Sequence, residues 1–297
     1  MLKRHKLFLC KVSEIMNCNL CPNLCNVDRA KVIGLCHSDD NMRICRIAPH
    51  FGEEPIISGT NGSGTIFFSG CNMNCEFCQN YQISKQKVGK IYSPIELSKQ
   101  IKILEEKKVH NINFVTPTHF SDKICETLDI YRPNIPIVYN TSSYELPKII
   151  NKMNNYVDIY LADLKYGDNS YAKKFSNCNN YLDYAIESIA AMCDAKPLIY
   201  DSDGMLLQGV IVRHLILPEN IENTKKVLDI YAEKFISKSI FSIMSQFVPC
   251  YQSSIKRKLT PLEYKIVINY MEKKGIENGF MQELSSATTE YIPEFDF

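Results

Sequence analysis

This sequence lacks the features that mark membrane proteins, nucleic-acid-binding proteins and repeat proteins. None of its apolar runs approaches the length that spans a bilayer. Its net charge is +1 at pH 7, so it has no global excess of positive charge to attract nucleic acid or a membrane surface. It also has no internal repeat, low-complexity tract or coiled-coil heptad. We therefore expect no membrane partner, and the charge disfavours a nucleic-acid partner.

A secretory signal and a paired set of disulfides are missing as well. The basic N-terminus is followed only by Leu7–Cys10 before Lys11, and that apolar stretch is too short for a signal peptide. The 13 cysteines are an odd number, and seven of them fall in two tight groups. Secreted disulfide scaffolds are shorter and evenly paired. We therefore expect a reducing compartment and a cytoplasmic location.

What is present suits a globular enzyme. The chain has 297 residues, of which 45% are hydrophobic and 23% are charged, so a sizeable core is feasible. A Gly- and Ser-rich connection at 52–64 reads as a linker or an ordered loop. The sequence predicts three parts: a Cys-rich metal-binding segment at 1–60, a core at 61–290 and a short tail at 291–297.

The most informative stretch is the loop Gly70–Asn80, which carries Cys71, Cys75 and Cys78 at the spacing C-x3-C-x2-C. It follows the apolar run 65–69, which reads as a buried strand. An iron–sulfur cluster normally takes four cysteines, so three would leave one iron open to a substrate or cofactor. A structural zinc site would need a fourth ligand, and three packing cysteines are not expected in one polar loop. The spacing therefore favours an iron–sulfur cluster with an open iron.

A second group of cysteines precedes it: Cys18, Cys21, Cys25 and Cys36, at the spacing C-x2-C-x3-C-x10-C. Four thiolates are enough to close a tetrahedral zinc shell or to hold a second, fully ligated cluster. The spacing does not choose between these two. Nearby Cys10, His37 and Cys45 could substitute as ligands, although we expect a non-ligand role for each.

Strand-like and helical segments alternate along the core. Capping boxes at Ser93–Glu96 and Thr260–Glu263 predict two helix starts, and a polar, tyrosine-bearing stretch from about 170 to 193 is predicted to be helical. The strand-like segments are 65–69, 111–116, 135–139, 156–161, 209–217 and 240–244. The alternation predicts parallel βαβ units and an α/β fold, but periodicity alone does not separate a barrel from a doubly wound sheet.

The three-cysteine loop, with the aromatic Phe77 just before its last cysteine, resembles the signature of radical S-adenosylmethionine (SAM) enzymes. This resemblance implies a partial (β/α)6 TIM-like barrel and a [4Fe–4S] cluster on Cys71, Cys75 and Cys78. It implies that the open iron binds the amino and carboxylate groups of SAM and that Phe77 lies against the adenine. Reductive cleavage then gives methionine and a 5′-deoxyadenosyl radical that abstracts hydrogen. A donor such as flavodoxin or ferredoxin would supply the electron.

A finer resemblance is to the pyruvate formate-lyase activating enzyme and similar proteins, one branch of which has a Cys-rich leader. The run Asp163–Lys165 matches their Asp-x-Lys motif, which helps position SAM. Arg213 stands where they carry an arginine that could clamp the SAM carboxylate or a substrate carbonyl. This resemblance implies that Lys165 and Arg213 are catalytic. The adjacent His214 should point to the other side of its strand and be structural.

The sequence departs from that family at two places. Many members carry Gly-Gly-Glu after the second strand, whereas this chain has Thr116–Thr118 there, so hydroxyls or backbone carbonyls would have to accept the SAM ammonium. Gln246 replaces a histidine after the sixth strand. The cofactor-binding residues implied by the resemblance are Phe77, Thr116, Thr118, Asp163, Lys165, Arg213 and Gln246.

The sequence therefore leads to two functional hypotheses. The first is a radical SAM enzyme, similar to activators of glycyl-radical enzymes, that abstracts hydrogen from a protein or a small molecule. The second is an iron–sulfur or zinc protein that carries electrons or scaffolds a partner without SAM chemistry. The altered motif after the second strand keeps the second hypothesis open.

Overall fold

The computed structural model of this protein describes residues 17–288 and Phe295. Cys10 and all of the predicted tail except Phe295 lie outside the described residues. The Phe295 ring packs edge-on against Phe67, with ring centroids 5.6 Å apart.

The described residues form ten strands and nine α-helices. The strands are β1 (Arg43–His50), β2 (Ser63–Phe68), β3 (Lys90–Ile91), β4 (Ile112–Val115), β5 (Ile137–Thr141), β6 (Ile159–Asp163), β7 (Ile199–Tyr200), β8 (Leu206–Leu215), β9 (Ile240–Met244) and β10 (Gly279–Met281). The helices are α1 (Pro55–Ser58), α2 (Tyr81–Ser84), α3 (Pro94–Glu106), α4 (Ser121–Ile130), α5 (Pro147–Met153), α6 (Asn169–Ser176), α7 (Tyr181–Ala195), α8 (Ile221–Lys234) and α9 (Pro261–Lys273).

The main sheet has the strand order β10-β9-β8-β6-β5-β4-β2-β1-β3. The six strands from β2 to β9 along this path are parallel and follow chain order. A doubly wound sheet would reverse direction at a switch point, and this order does not. Within the described chain the end strands β10 and β3 do not pair, so the barrel is open. The predicted α/β fold with a partial (β/α)6 barrel is confirmed.

Local sequence signals account for several element boundaries. Both predicted capping boxes form: the Ser93 side chain accepts from the Glu96 N–H, and Thr260 does the same with Glu263. The predicted strand at 240–244 coincides with β9.

The predicted helical stretch at 170–193 is divided into two helices, α6 and α7. Asn177 and Asn180, which flank the break, both have left-handed backbones, with φ of 50° and 51°. Asparagine tolerates this conformation because its short side chain can hydrogen-bond locally, so it can end one helix and precede the next.

The strand β1 was not expected from the sequence. It pairs antiparallel with β2, from Ile44 opposite Phe68 to His50 opposite Ser63. The sheet therefore begins at Arg43, and the Cys-rich part that stands outside it is 17–42, which contains no helix or strand. The predicted boundary at residue 60, between a metal-binding segment and the core, stays a prediction.

Apolar side chains fill the space between the sheet and its helices. Helices α3, α4, α5 and α7 pack against one another in chain order. The large side chains of Phe68, Phe114, Phe120, Tyr139 and Tyr160 are fully buried. None of the described helices combines the length and the apolar character needed to cross a bilayer.

Candidate functional site

A cavity of about 250 Å³ opens at the carboxyl ends of the parallel strands. We call it the strand-end cavity. Chemistry collects at this edge of parallel barrels because the loops that follow several strands converge there. Every residue predicted for the three-cysteine cluster and its cofactor lines the cavity: Cys71, Cys75, Phe77, Cys78, Thr116, Thr118, Asp163, Lys165, Arg213 and Gln246.

The three cysteines follow β2 directly, and each sulfur has a polar neighbour. The Met73 N–H donates to the Cys71 sulfur at 3.4 Å, and the Ser176 hydroxyl donates to the Cys75 sulfur at 3.0 Å. The Ser84 hydroxyl lies 3.3 Å from the sulfur of the third cysteine.

Burial raises the pKa of the Cys71 thiol, and repulsion from the other two cysteines raises it further. Cys78 is shifted in the same direction, by burial and by repulsion from Cys75. A positively charged partner would therefore favour the thiolate forms of Cys71 and Cys78. The donor set, three thiols that line one cavity, fits an iron–sulfur cluster with one iron not bound by the loop.

Phe77 is held firmly in the wall of the cavity. Its ring centroid lies 6.3 Å from that of Phe175 and 6.0 Å from that of Phe247. The Glu76 N–H donates to the Phe175 carbonyl at 2.9 Å, which ties the cysteine loop to α6. Contact between this ring and adenine stays a prediction.

Asp163 and Lys165 form an ion pair at the end of β6, with Nζ 2.5 Å from Oδ2. Burial opposes the charge on Lys165, but attraction to Asp163 and Cys75 outweighs it and raises the pKa of the lysine. The Tyr181 hydroxyl accepts from the Lys165 N–H at 2.9 Å and lies 2.9 Å from the Asp163 carbonyl. The pair is therefore a fixed, charged feature beside the cysteine loop.

Arg213 is enclosed by two carboxylates that sequence reasoning missed. Its Nε donates to Glu54 Oε1 at 2.9 Å, and its Nη2 donates to Glu53 Oε2 at 2.5 Å. Burial disfavours a charged Glu54, but attraction to Arg213 is stronger and lowers the pKa of that carboxyl. The three groups together carry a net negative charge, which suits a cationic ligand better than a carboxylate. The only sequence signal was two adjacent acids in a stretch interpreted as a linker.

The end of β4 combines backbone strain with a buried acid. Thr116 has φ of +59°, which is unusual for a β-branched residue and costs about 1–3 kcal/mol. Glycine, which the resembled family often carries here, adopts this conformation without strain. The Thr118 hydroxyl donates to Glu145 Oε1 at 2.6 Å, and the Thr141 hydroxyl does the same at 2.6 Å. The end of β4 itself carries no carboxylate, but the carboxylate of Glu145, which follows β5, lies behind Thr118.

We predict that Glu145 makes stability fall as pH rises. Burial raises its pKa from 4.5 to about 7, and its Oε2 has no hydrogen-bond partner among the described residues. Between these pH values the folded chain holds a proton that the unfolded chain has released, so unfolding becomes easier by about 3 kcal/mol, at 1.36 kcal/mol per pKa unit. Burial lowers the pKa of His119 to about 3 and that of His214 to about 4, which makes stability rise with pH and opposes the effect of Glu145. The test is therefore a comparison by urea unfolding at pH 5 and pH 8, measured without oxygen: the stability of the wild type relative to Glu145→Gln should fall by about 3 kcal/mol between these pH values. The exposed control Glu272→Gln should behave like the wild type; an equal pH effect in Glu145→Gln would contradict the assignment.

The remaining predicted residues have clear positions. Gln246 Oε1 accepts from Gln282 at 3.0 Å, and the Gln246 carbonyl accepts from Gln79 at 3.1 Å, which links the end of β9 to the cysteine loop. His214 lies 3.0 Å from Thr224 on α8, so its predicted orientation away from the cavity is confirmed.

The four N-terminal cysteines form no disulfide, and the sulfurs of Cys25 and Cys36 lie beside the same glycine, Gly34. Within the described ranges, no three His, Cys, Asp or Glu side chains are already arranged around a single metal ion. Metal binding by Cys18, Cys21, Cys25 and Cys36 would therefore require their thiols to turn toward a common centre, and it stays a prediction.

Comparisons with known proteins bear on the family and the fold of the chain. A family model described as "Radical SAM superfamily" matches residues 65–231. "Uncharacterized protein MJ0674" of Methanocaldococcus jannaschii is 30% identical over 275 residues, which cover 88% of this chain and 76% of that protein.

Solved structures share the fold at low sequence identity. Streptococcus suis SuiB bound to S-adenosylmethionine superposes with a TM-score of 0.53 at 10% identity, over 73% of this chain and 49% of SuiB. Methylornithine synthase (PylB) superposes with a TM-score of 0.50 at 16% identity, over 71% of this chain and 62% of the synthase. The chain thus spans about half the length of SuiB, and these two likenesses concern the fold alone.

Proposed function

Because the chain belongs to the radical SAM superfamily, we propose that it cleaves SAM reductively in the strand-end cavity and uses the resulting radical to abstract hydrogen from a substrate. The cofactors are a [4Fe–4S] cluster and SAM. When bound, they supply the electron and the 5′-deoxyadenosyl radical, while the protein supplies placement and shielding. The observation that carries the proposal is that the three-cysteine loop and the predicted SAM-binding residues line one cavity.

The cysteine loop would hold the cluster and adjust its potential. Cys71, Cys75 and Cys78 are the proposed ligands. Hydrogen bonds to the sulfurs of an iron–sulfur cluster stabilise the added electron and raise its reduction potential. The donors are in place here, from Met73 N–H and Ser176 in particular.

The charged groups of the cavity would orient SAM. We assign the Asp163–Lys165 pair to this role, because it is fixed by Tyr181 and adjoins the cysteine loop. The N–H groups of the SAM amine would donate to oxygens of Thr116 and Thr118, and Glu53 would add negative charge nearby. Glu53 is suited to this because it lines the cavity and is kept in place by Asn113 at 2.8 Å.

The substrate class that we propose to test first is a glycyl-radical enzyme, which would make this protein an activase. The Asp163–Lys165 motif and Arg213, shared with the activating enzymes that the sequence resembles, support this choice. Flavodoxin or ferredoxin is the proposed electron donor.

The test uses protein purified without oxygen, reduced with dithionite and incubated with SAM. We expect chromatography to detect 5′-deoxyadenosine that is absent when either reductant or SAM is omitted. A protein with full iron and sulfide content that forms no 5′-deoxyadenosine, and whose electron paramagnetic resonance (EPR) spectrum does not respond to SAM, would contradict the proposed function. That outcome would instead favour a redox or scaffold protein.

A further inference from the structure

The Cys-rich segment 17–42 is folded back on itself by backbone hydrogen bonds around its cysteines. The Cys18 N–H donates to the Val27 carbonyl at 2.8 Å, and the Asn26 N–H returns to the Cys18 carbonyl at 3.0 Å. The Leu35 N–H donates to the Cys25 sulfur at 3.3 Å. A Cβ added to Gly34 would lie 3.4 Å from the Cys36 sulfur and 3.7 Å from the Cys25 sulfur, so these two sulfurs flank the same glycine.

This segment has little hydrophobic core of its own. It contains no helix or strand, and four of its larger apolar side chains are half exposed or more: Leu24 50%, Val32 52%, Ile33 55% and Leu35 67%. Its Met42 and Leu20 pack against the core of the barrel instead. Burial of apolar surface therefore contributes little to its fold. Cys21 and Cys36, in contrast, are buried at 5% and 4% exposure. Small segments of this kind gain much of their stability from a metal held by cysteines.

The segment contacts the first part of the three-cysteine loop directly. The Cys71 N–H donates to the Cys36 carbonyl at 3.0 Å, and the Asn23 side chain donates to the Asn72 carbonyl at 2.8 Å. The Ser38 hydroxyl donates to the Ser69 carbonyl at 3.1 Å. Cys36 is one of the four N-terminal cysteines, and Asn23 lies between two others, so the shape of the segment sets the position of the loop.

At the start of the three-cysteine loop, the Cys-rich segment lies so close to Gly70 that no side chain would fit there. Gly70 has φ of +86°, and an added Cβ would lie 2.5 Å from the Cys36 carbonyl and 2.2 Å from the Ser38 hydroxyl. Only glycine fits this contact without strain. The Cys-rich segment and the three-cysteine loop are therefore built to lie against each other.

We propose that Cys18, Cys21, Cys25 and Cys36 bind a thiolate-coordinated metal centre, either zinc or an iron–sulfur cluster. We further propose that this centre positions Cys71 for loading of the three-cysteine cluster. The second part rests on the proposed function, whereas the first does not. Four thiolates saturate such a centre and leave no position open for SAM, in contrast to the cluster on the three-cysteine loop.

The test measures zinc, iron and sulfide per chain without adding SAM or reductant, so its result does not depend on SAM cleavage. We expect the wild type to carry either about one zinc besides about four iron, or about eight iron in two clusters. Cys21→Ser should lose the additional metal and more than about half of the cluster on the three-cysteine loop. The matched control Cys193→Ser, which alters a buried cysteine on α7, should keep both. A wild type without the additional metal, or a Cys21→Ser variant that loads the three-cysteine loop fully, would overturn the proposal.

A second variant separates coupling from misfolding. Asn23→Ala removes the hydrogen bond to the Asn72 carbonyl and leaves all four cysteines in place. We expect it to keep the additional metal while the three-cysteine loop loads less cluster or its reduced EPR signal changes. If loading and spectrum are both those of the wild type, the segment does not position the loop, even where Cys21→Ser is too unstable to purify.

Discussion

Replacing Cys71, Cys75 or Cys78 with Ala is expected to lower 5′-deoxyadenosine formation by more than about 100-fold. Mutating a residue that only hydrogen-bonds to a metal ligand already lowers metal affinity or activity by about 10–100-fold, and these three residues are the proposed ligands themselves. Each thiol lines the strand-end cavity, and no other cysteine between residues 17 and 288 does. Two thiols cannot hold the cluster as three do. The measurement is chromatography of SAM reaction mixtures under reducing, oxygen-free conditions, together with the EPR spectrum of the reduced protein.

Cys193→Ala is the matched control for these three variants. Cys193 is buried on α7 at 5% exposure and does not line the cavity, so its loss should leave SAM cleavage and the spectrum unchanged. Full SAM cleavage by any of the three loop variants would be incompatible with the assigned ligands.

Replacing Arg213 with Met is expected to destabilise the protein by about 3–5 kcal/mol, which is the usual cost of removing one partner from a buried ion pair. The side chains of Arg213 and Glu54 are only 9% and 6% exposed, so water cannot take over the lost interaction. Buried Glu54 would then lose the guanidinium that neutralises it, and Glu53 would lose the same partner. Equilibrium unfolding in urea measures the effect directly.

An exposed ion pair provides the control for this prediction. Lys226 Nζ lies 2.7 Å from Asp168 Oδ2, but these two side chains are 48% and 36% exposed. Lys226→Met should therefore cost about 1 kcal/mol or less. Adding Glu54→Gln to Arg213→Met should restore part of the lost stability, because it removes one unpaired charge. Equal losses in the Arg213 and Lys226 variants would show that Arg213 is not the centre of a buried charge cluster.

Several features of this protein could be predicted because their signals are local. The spacing of Cys71, Cys75 and Cys78 places three thiols on one loop whatever surrounds it. The capping boxes at Ser93 and Thr260 act within four residues, and β9 is an apolar run with Ser242 as its one polar residue. Strand-like and helical segments are likewise recognised from the local spacing of their apolar residues. Their alternation along the chain therefore predicted the α/β class.

Other features could be seen only in the folded chain. The carboxylates on Arg213 lie 159 and 160 residues away in sequence, in a stretch whose composition is that of a linker. Glu145 lies 27 residues from Thr118, and β1 joins the sheet although it was assigned to a separate segment. None of these contacts has a local pattern.

The sequence by itself thus determined the chemistry of the three-cysteine loop, the strand–helix alternation and the two capped helices. Apart from the family resemblance, which implied a partial barrel, only the tertiary structure showed that the sheet is open and wound in chain order. It alone showed that Arg213 is bound by two acids and that the Cys36 carbonyl accepts from the Cys71 N–H. The physical reason is the range of the forces involved. Helix caps and ligand spacing depend on neighbouring residues, whereas buried charges and backbone contacts between distant segments depend on which surfaces the fold brings together.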